Sequence, residues 1–217
     1  MKVDLLDVSK GRRGTALPRT RLAFQTGAVT LARAETEQRP TVLGLIASGR
    51  MRPDTGRVLL DGEADASGIR SRVALVDAPG VSDPASDVTV AGVVAEELMF
   101  AGIAAHPASV DRTLAQFGVA HLARRAIGTV PPTARLRLLC ELAVLRDGVE
   151  GIVLTAPDRH GGNPLDWWAI VREFSARGYA VLAIAGDAAA AAIAADAMLD
   201  RLGREGAGGD IDEEAGA

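Results

Sequence analysis

The apolar positions of the chain follow two different periods, and the change between them predicts the order of the elements. In the N-terminal third, short apolar runs separated by turn-rich segments predict strands at 3–8, 21–24 and 28–33. A helix is predicted at about 41–50, and a Pro-Asp-Thr-Gly turn then leads into a strand at 57–62. The short apolar run within 72–80 has the pattern of a buried strand.

The remainder of the chain predicts helices first and then alternating strands and helices. Apolar spacings near 3.6 residues predict three helices, at 88–103, 108–118 and 133–147. Strands at 151–157 and 179–186 then alternate with helices at 163–178 and 187–203. Continuous apolar strands between helices indicate a parallel sheet that helices cover on both faces.

Length and composition indicate one compact domain. The chain has 217 residues, of which 48% are apolar, enough for a sizeable core. We expect this domain to span 1–202 and the Gly-rich, acidic segment 203–217 to be a disordered tail.

Net charge and cysteine content limit the classes of partner and the cellular compartment that we expect. The net charge is −4 and no basic cluster covers a whole face, which argues against nucleic acid as a partner. Cys140 is the one cysteine, and the N-terminus lacks the apolar core of a signal peptide, so a cytoplasmic protein is expected. Arginine supplies almost all the positive charge, because Lys2 and Lys10 are the only lysines.

Several segments, in one order, resemble the nucleotide-binding subunit of ATP-binding cassette (ABC) transporters. They include RPDTGRVLLDG at 52–62, DVTVAGVVAEELMFAG at 87–102 and the helix-rich stretch 114–148. The resemblance covers about residues 3–202. It implies a P-loop NTPase-like α/β fold: a mostly parallel sheet flanked by helices, an N-terminal antiparallel β part, and a helical subdomain at about 88–147.

The phosphate-binding loop that the resemblance implies does not have its chemistry here. That loop falls at 34–41, AETEQRPT, and it normally uses glycines to curl backbone amides around phosphate and a lysine to neutralise it. The glycine positions hold Ala34, Glu37 and Arg39, and the lysine position holds Pro40. Only Thr41 matches, and no lysine after residue 10 can restore the motif.

The family's other nucleotide-binding positions are replaced as well. Where the second Walker strand ends in Asp-Glu-Pro, this chain has Thr155-Ala156-Pro157. The signature loop corresponds to 130–134, Val-Pro-Pro-Thr-Ala, and the two prolines remove amide donors. Gly186 stands at the switch-histidine position, and the segment 77–79 lacks the expected glutamine.

These replacements favour a non-hydrolysing structural or regulatory subunit. The resemblance implies two kinds of partner: a membrane permease subunit and an intact ABC ATPase. It also implies a dimer and a peripheral position at the inner face of the cell membrane. The permease-docking surface would lie within 78–105 and include Pro79, Met99 and Phe100. No cofactor and no metal are expected.

Two alternatives remain open. The chain would bind ATP–Mg weakly if Arg39, Thr41 and the degenerate Walker position Thr155 made non-standard contacts. It would be a stand-alone α/β enzyme if the loop residues Asp158 and His160, together with Asp166, formed an acid–base or metal cluster.

Overall fold

The structure of the protein is a computed structural model that describes residues 1–35 and 39–209, with side chains described up to residue 201. Within those ranges the strands are β1 (Lys2–Lys10), β2 (Leu17–Gln25), β3 (Val29–Arg33), β4 (Thr55–Leu60), β5 (Val73–Val76), β6 (Gly151–Thr155) and β7 (Ala180–Ala185). The helices are α1 (Arg39–Ala47), α2 (Ala66–Arg72), α3 (Val90–Phe100), α4 (Pro107–Gln116), α5 (Pro132–Ala143), α6 (Pro164–Ala176) and α7 (Asp187–Gly209).

The strands form two sheets. Three of them make an antiparallel sheet in the order β2-β1-β4, in which Leu5 of β1 lies opposite Leu22 on one side and Val58 on the other. The other four make a parallel sheet in the order β3-β7-β6-β5. This arrangement confirms the predicted α/β fold, with its mostly parallel sheet and its N-terminal antiparallel part.

The parallel sheet is buried on both faces, as its continuous apolar strands predict. Successive residues of a strand point to opposite faces, so one strand serves two cores. In β7, Val181 and Ala183 belong to the core under α3–α7, whereas Leu182 and Ile184 belong to the core under α1 and the antiparallel sheet. Cys140 is fully buried in the first core, and burial raises the pKa of its thiol to about 12.

Helix α1 begins at Arg39, two residues before its predicted start, and Pro40 occupies its first turn. It ends at Ala47, and Gly49 just beyond it has φ of 69°, a left-handed conformation that favours glycine. A Cβ at Gly49 would lie 2.7 Å from the carbonyl oxygen of Ala66. The close approach of this turn to α2 therefore also requires a residue that has no side chain.

Two features of the fold differ from the sequence prediction. Helix α2 was not expected, because its seven residues are mostly polar and bury only Ile69; the side chain of Asp65 caps it by accepting from the amide of Gly68. Helix α7 runs to Gly209, past the predicted start of the disordered tail at 203, since an established helix gains one hydrogen bond for each residue added. Residues 210–217 of that predicted tail lie outside the described residues.

The segment predicted to be mostly helical, 88–147, contains α3, α4 and α5. Their apolar residues, among them Leu98, Leu114 and Leu136, pack into the core on one face of the parallel sheet. Throughout the part of the chain that the structure describes, no helix has the length and apolar character needed to cross a membrane.

Candidate functional site

The four parallel strands end at one edge of their sheet, and the segments that follow them enclose a crevice of about 380 Å³. In α/β proteins this edge is the usual position of a ligand site. The crevice is lined by Ala34, Glu35, Pro40, Pro79, Ala156, Asp158, Arg159 and Gly186. Residues from the ends of all four strands therefore meet here, together with the first turn of α1.

Two carboxylates in the crevice bind the backbone at the start of α7. The side chain of Glu35 accepts a hydrogen bond from the amide of Asp187, and Asp158 Oδ2 accepts one from the amide of Gly186 at 3.0 Å. The first amides of a helix have no partner within the helix and carry partial positive charge, so they attract anions. In this protein the chain itself supplies those anions.

Asp77, directly after β5, is the centre of a buried ionic network. Its side chain is 0% exposed. Oδ1 lies 2.8 Å from Arg135 Nη2 and 3.0 Å from Arg159 Nη2, and Oδ2 lies 2.6 Å from His160 Nε2. A buried carboxylate is costly unless several partners compensate its charge, and here three do.

The ionised form of Asp77 is the favoured one. Burial by itself raises the pKa of this carboxyl group. The hydrogen bond with His160 and the positive charges of Arg159 and Arg135 outweigh burial, so the pKa lies below its ordinary value. The network is therefore an ion cluster at neutral pH.

Arg159 extends this network across the edge of the sheet. Its Nη1 donates to the carbonyl oxygen of Asp77 at 2.5 Å and to that of Thr155 at 3.1 Å. Its Nη2 lies 3.5 Å from a carboxylate oxygen of Asp83. One guanidinium thus joins the ends of β5 and β6 and the loop that follows β5.

Comparison with known proteins places this architecture. No family model matches the sequence, and no curated protein matches it either. Among solved structures, a nucleotide-free ATP-binding cassette from an ABC transporter is 18% identical, with a TM-score of 0.60 over 86% of this chain and 82% of that one. The chain has the ATP-binding cassette fold.

Two other solved proteins have the same fold. The protein cbiO1 from Clostridium perfringens, part of the ABC transporter complex cbiONQ, is 17% identical, with a TM-score of 0.59 over 85% of this chain and 77% of that one. A putative ABC transporter ATP-binding protein from Pyrococcus furiosus is 15% identical, with a TM-score of 0.59 over 86% of this chain and 92% of that one. At such identities the likeness is one of fold.

The cassette fold puts the predicted phosphate-loop residues at the start of α1. Arg39 is the first residue of the helix, and Arg39 and Thr41 are both half-buried. Of the described residues of α1, Pro40 lines the crevice, whereas Arg39 and Thr41 are not among its lining residues. Glu37, which stands at a glycine position of the implied loop, lies outside the described residues.

Thr155, at the degenerate Walker position, faces α1 and not the crevice. The residue is 0% exposed, and its hydroxyl has no hydrogen-bond partner among the described residues. A Cβ built on Gly44 would lie only 2.8 Å from Thr155 Oγ1, so the helix lies directly on this hydroxyl. The contact is one of close packing between α1 and β6.

The segment at the signature-loop position is built for packing as well. Val130 is buried, and α5 begins at Pro132 with Pro131 before it. Pro131 makes no side-chain hydrogen bond to cap the helix. Since neither proline has an N–H, two amides that could grip an anion are missing from this helix start.

The three residues of the enzyme alternative have different partners. Asp158 binds the amide of Gly186, His160 binds Asp77, and Asp166 is exposed in the first turn of α6. Sequence reasoning paired His160 with its neighbours, but the structure pairs it with a carboxylate 83 residues away. Among the described residues, no group of three or more His, Cys, Asp or Glu side chains could hold a metal ion.

Two of the three predicted docking residues are prominent on the surface. Met99 and Phe100, at the end of α3, are each 64% exposed. Phe100 and the 51%-exposed Val81 line a groove of about 330 Å³ between α3, α5 and the end of β5. Pro79 is elsewhere: it lines the crevice at the edge of the sheet.

The groove also contains charged side chains that are partly buried. Burial raises the pKa of Glu97, and the nearby Arg146 reduces this effect without cancelling it. Burial, with the charges of Arg146 and Arg70, lowers the pKa of Arg50. Among the described residues neither group makes an ion pair, in contrast to Asp77, and Arg50 instead donates to the carbonyl oxygens of Ser48 and Val73.

Sequence reasoning named neither Glu35 nor Asp158 as a cap, and it did not foresee Asp77 as the centre of a network. The local signals exist, since each residue follows an apolar strand and lies at the functional edge of a parallel sheet. The partners do not appear in any local pattern, because Arg135 is 58 residues from Asp77 and the amide of Asp187 is 152 residues from Glu35.

Proposed function

We propose that this chain is a non-hydrolysing structural or regulatory subunit of an ABC-type assembly, associated with a membrane permease or with an intact ATPase. The observation that carries the proposal is that two carboxylates of the crevice, those of Glu35 and Asp158, already accept hydrogen bonds from the amides at the start of α7. The absence of any lysine after Lys10 supports it, because the sheet edge then lacks the lysine that neutralises a bound triphosphate in phosphate-binding loops.

Electrostatics support the same conclusion. A triphosphate in the crevice would meet the carboxylates of Glu35 and Asp158, and like charges repel strongly where solvent is restricted. It would also have to displace hydrogen bonds to a carboxylate, which are stronger than neutral ones. Arg159 lines the crevice, but it already holds Asp77.

The exposed apolar surface at α3 supports action through protein contacts. Soluble proteins rarely expose several large apolar side chains together unless the surface binds something. Met99, Phe100 and Val81 are all more than half exposed beside the groove. One protein of the same fold, cbiO1, is part of a transporter complex. Docking on a permease would place this chain at the inner face of the membrane.

Titration calorimetry of ATP–Mg into the purified chain tests the proposal. We expect no saturable heat with nucleotide at about 1 mM, which corresponds to a binding free energy weaker than roughly −4 kcal/mol. A micromolar Kd or measurable ATP turnover would sink the proposal. An active ABC ATPase measured in the same buffer controls for nucleotide and metal quality.

The alternative of weak, non-standard nucleotide binding has one observation in its favour. Among the described residues of α1, Arg39–Ala47, the first turn contains no acidic side chain to neutralise the partial positive charge of the helix start. If millimolar ATP binding were found, Arg39→Ala and Thr41→Ala would test whether it uses this helix start. Under the main proposal neither substitution changes the titration.

A further inference from the structure

The antiparallel sheet has an outer face that neither core uses. Its inner face contributes Val3, Leu5 and Phe24 to the core. Side chains alternate between the two faces of a strand, so Arg19 and Arg21 of β2 point outward together, as their shared contact with Asp7 shows. On the other edge strand, Arg57 lies opposite Leu6 and lines the same surface.

These residues surround a shallow, open recess of about 620 Å³, which we call the arginine face. It is lined by Leu6, Asp7, Arg19, Arg21, Thr55, Gly56 and Arg57. The side chains of Arg19 and Arg21 are 74% and 66% exposed. The sequence shows no continuous basic stretch, because these arginines come together only through strand pairing.

The arginine face keeps positive charge that its own carboxylate does not cancel. Asp7 lies 2.7 Å from Arg21 and 3.1 Å from Arg19, and these hydrogen bonds, that of Arg21 first, hold the pKa of Asp7 well below its ordinary value. Asp7 is the one acidic residue in the lining. Within the described part of the chain, Arg57 makes no ion pair.

The β1–β2 connection adds further charge beside this face. Arg12 and Arg13 are consecutive exposed residues in the turn between the two strands. A hydrogen bond of 2.9 Å from the amide of Gly14 to the carbonyl oxygen of Gly11 closes this turn. Five exposed arginines thus lie on one hairpin and its neighbouring strand, in a chain whose net charge is −4.

We propose that the arginine face binds the phosphate headgroups of an anionic lipid bilayer. Clusters of four to eight basic residues are attracted to anionic membrane surfaces. The guanidinium fork matches phosphate oxygens in pairs, which suits an all-arginine cluster. Because the chain is acidic on balance, an anionic surface would attract this basic side in preference to the acidic parts of the protein, so the charge distribution also orients it.

The shape of the surface favours a bilayer over other anions. Small-ligand sites enclose most of their ligand, whereas this recess is shallow and open. Single-stranded nucleic acid is bound by stacking bases on aromatic side chains, and none lines the recess. The proposal uses no residue of the crevice or of the groove at α3, so it does not rest on the proposed function.

Sedimentation with lipid vesicles tests it directly. The full chain is mixed with vesicles of phosphatidylcholine containing 30% phosphatidylglycerol, or of phosphatidylcholine alone, at about 50 mM salt. The test variant carries Arg19→Gln, Arg21→Gln and Arg57→Gln. The control carries Arg112→Gln, Arg124→Gln and Arg172→Gln, which remove the same charge from exposed positions elsewhere.

We expect binding only to the anionic vesicles, and a loss on the order of a hundredfold in the test variant, since each basic residue near the surface contributes roughly a fivefold factor. The control should bind as the parent does. Equal loss in both variants, or no binding by the parent, would overturn the proposal. Binding of duplex DNA that is lost in the test variant, without vesicle binding, would also overturn it in favour of nucleic acid.

Circular dichroism and urea unfolding of both variants check the fold. The substituted arginines are exposed, and Asp7 is 31% exposed, so water can solvate it once its partners are removed. A test variant that unfolds is replaced by Arg57→Gln alone. Its expected loss is about fivefold, and unchanged binding would count against the proposal.

Discussion

The crevice at the edge of the parallel sheet and the groove at α3 both border the ionic network of Asp77, since Arg159 lines the crevice and Asp77 lines the groove. They differ in how their other polar groups are satisfied. At the crevice, Asp158 and Glu35 each bind a backbone amide from a distant part of the chain. At the groove, Phe100 is 64% exposed, and the side chain of Glu97 makes no hydrogen bond within the described residues although the residue is half-buried.

This difference indicates which surface gains by binding. A ligand at the crevice would exchange existing charge-assisted hydrogen bonds for new ones, and such an exchange yields little net free energy. A partner at the groove would remove apolar surface from water, which is the main favourable contribution to association. This contrast supports the proposal that the chain acts through protein contacts.

Breaking the network at Asp77 has the largest expected effect. Asp77→Ala leaves Arg135, whose side chain is 5% exposed, without its carboxylate, and this should lower the free energy of unfolding by about 3–5 kcal/mol. Urea unfolding monitored by circular dichroism measures it. Glu173→Ala is the control: it removes an exposed partner of Arg137 and should cost less than about 1 kcal/mol. Equal losses of unfolding free energy would show that the buried network stabilises the protein no more than an exposed ion pair does.

Substitutions in the groove should weaken binding of the partner and leave the stability of the protein unchanged. Phe100→Ser should weaken capture of the permease partner by roughly tenfold or more, because large aromatic anchors dominate interfaces. Its unfolding midpoint should stay close to that of the parent. Leu199→Ser on α7, where the parent side chain is 69% exposed, is the matched control. Co-purification with the permease measures both, and unchanged capture by Phe100→Ser would remove this surface from the proposal.

The caps at the start of α7 have a moderate expected effect. Glu35→Ala and Asp158→Ala should each lower the free energy of unfolding by about 1 kcal/mol, as for other lost helix caps. Asp111→Ala, an exposed acid within α4, should change it by less than about 0.5 kcal/mol. If the double cap variant gained micromolar ATP binding, the carboxylates alone would be excluding nucleotide, and the missing lysine would matter little.

The smallest effect is a difference in pH dependence between the two regions. The pKa of Asp77 is lowered, so its stabilising contribution is full above its ordinary value of 3.8 and is lost as pH falls below that value. The pKa of Glu97 is raised, so its ionisation costs stability once pH rises above its ordinary value of 4.5.

Glu97→Gln should therefore stabilise the protein at pH 7, by less than about 1 kcal/mol, with the gain disappearing near pH 4. Urea midpoints for the parent and the variant at pH 7, 5.5 and 4 measure it. Asp77→Asn should instead destabilise the protein at all three pH values, because Asp77 stays ionised above 3.8, and should converge on the parent only in a further measurement below that pH. Parallel pH profiles for the two variants would contradict the contrast between the regions.

Periodicity predicted most of the fold because local burial dictates it. The strands 151–157 and 179–186 were recognisable as continuous apolar runs, and both are buried strands of the parallel sheet. Helix α2 was missed because it buries only Ile69, so no periodic pattern marks it. The resemblance that rested on segment order was confirmed at the level of fold, where sequence identities of 15–18% to three solved cassettes accompany TM-scores of 0.59–0.60.

The candidate site was only partly predictable. The chain lacks lysine at the phosphate-loop position, and the sequence alone shows this. It could not show that Glu35 reaches the amide of Asp187, or that Met99 and Phe100 are exposed while Pro79 lies in the crevice. Those facts depend on which distant segments meet.

The sequence by itself determined the alternation of strands and helices, the two-faced burial of the parallel sheet and the residue types at the ends of its strands. Each of these follows from spacing along the chain and from the physical properties of single residues. The tertiary structure decided which charges are paired: Asp77 with three partners, Asp7 with Arg19 and Arg21, and Glu97 with none among the described residues. The interaction between two charges depends on the distance between them in space, and only the packing of the sheets and helices fixes that distance.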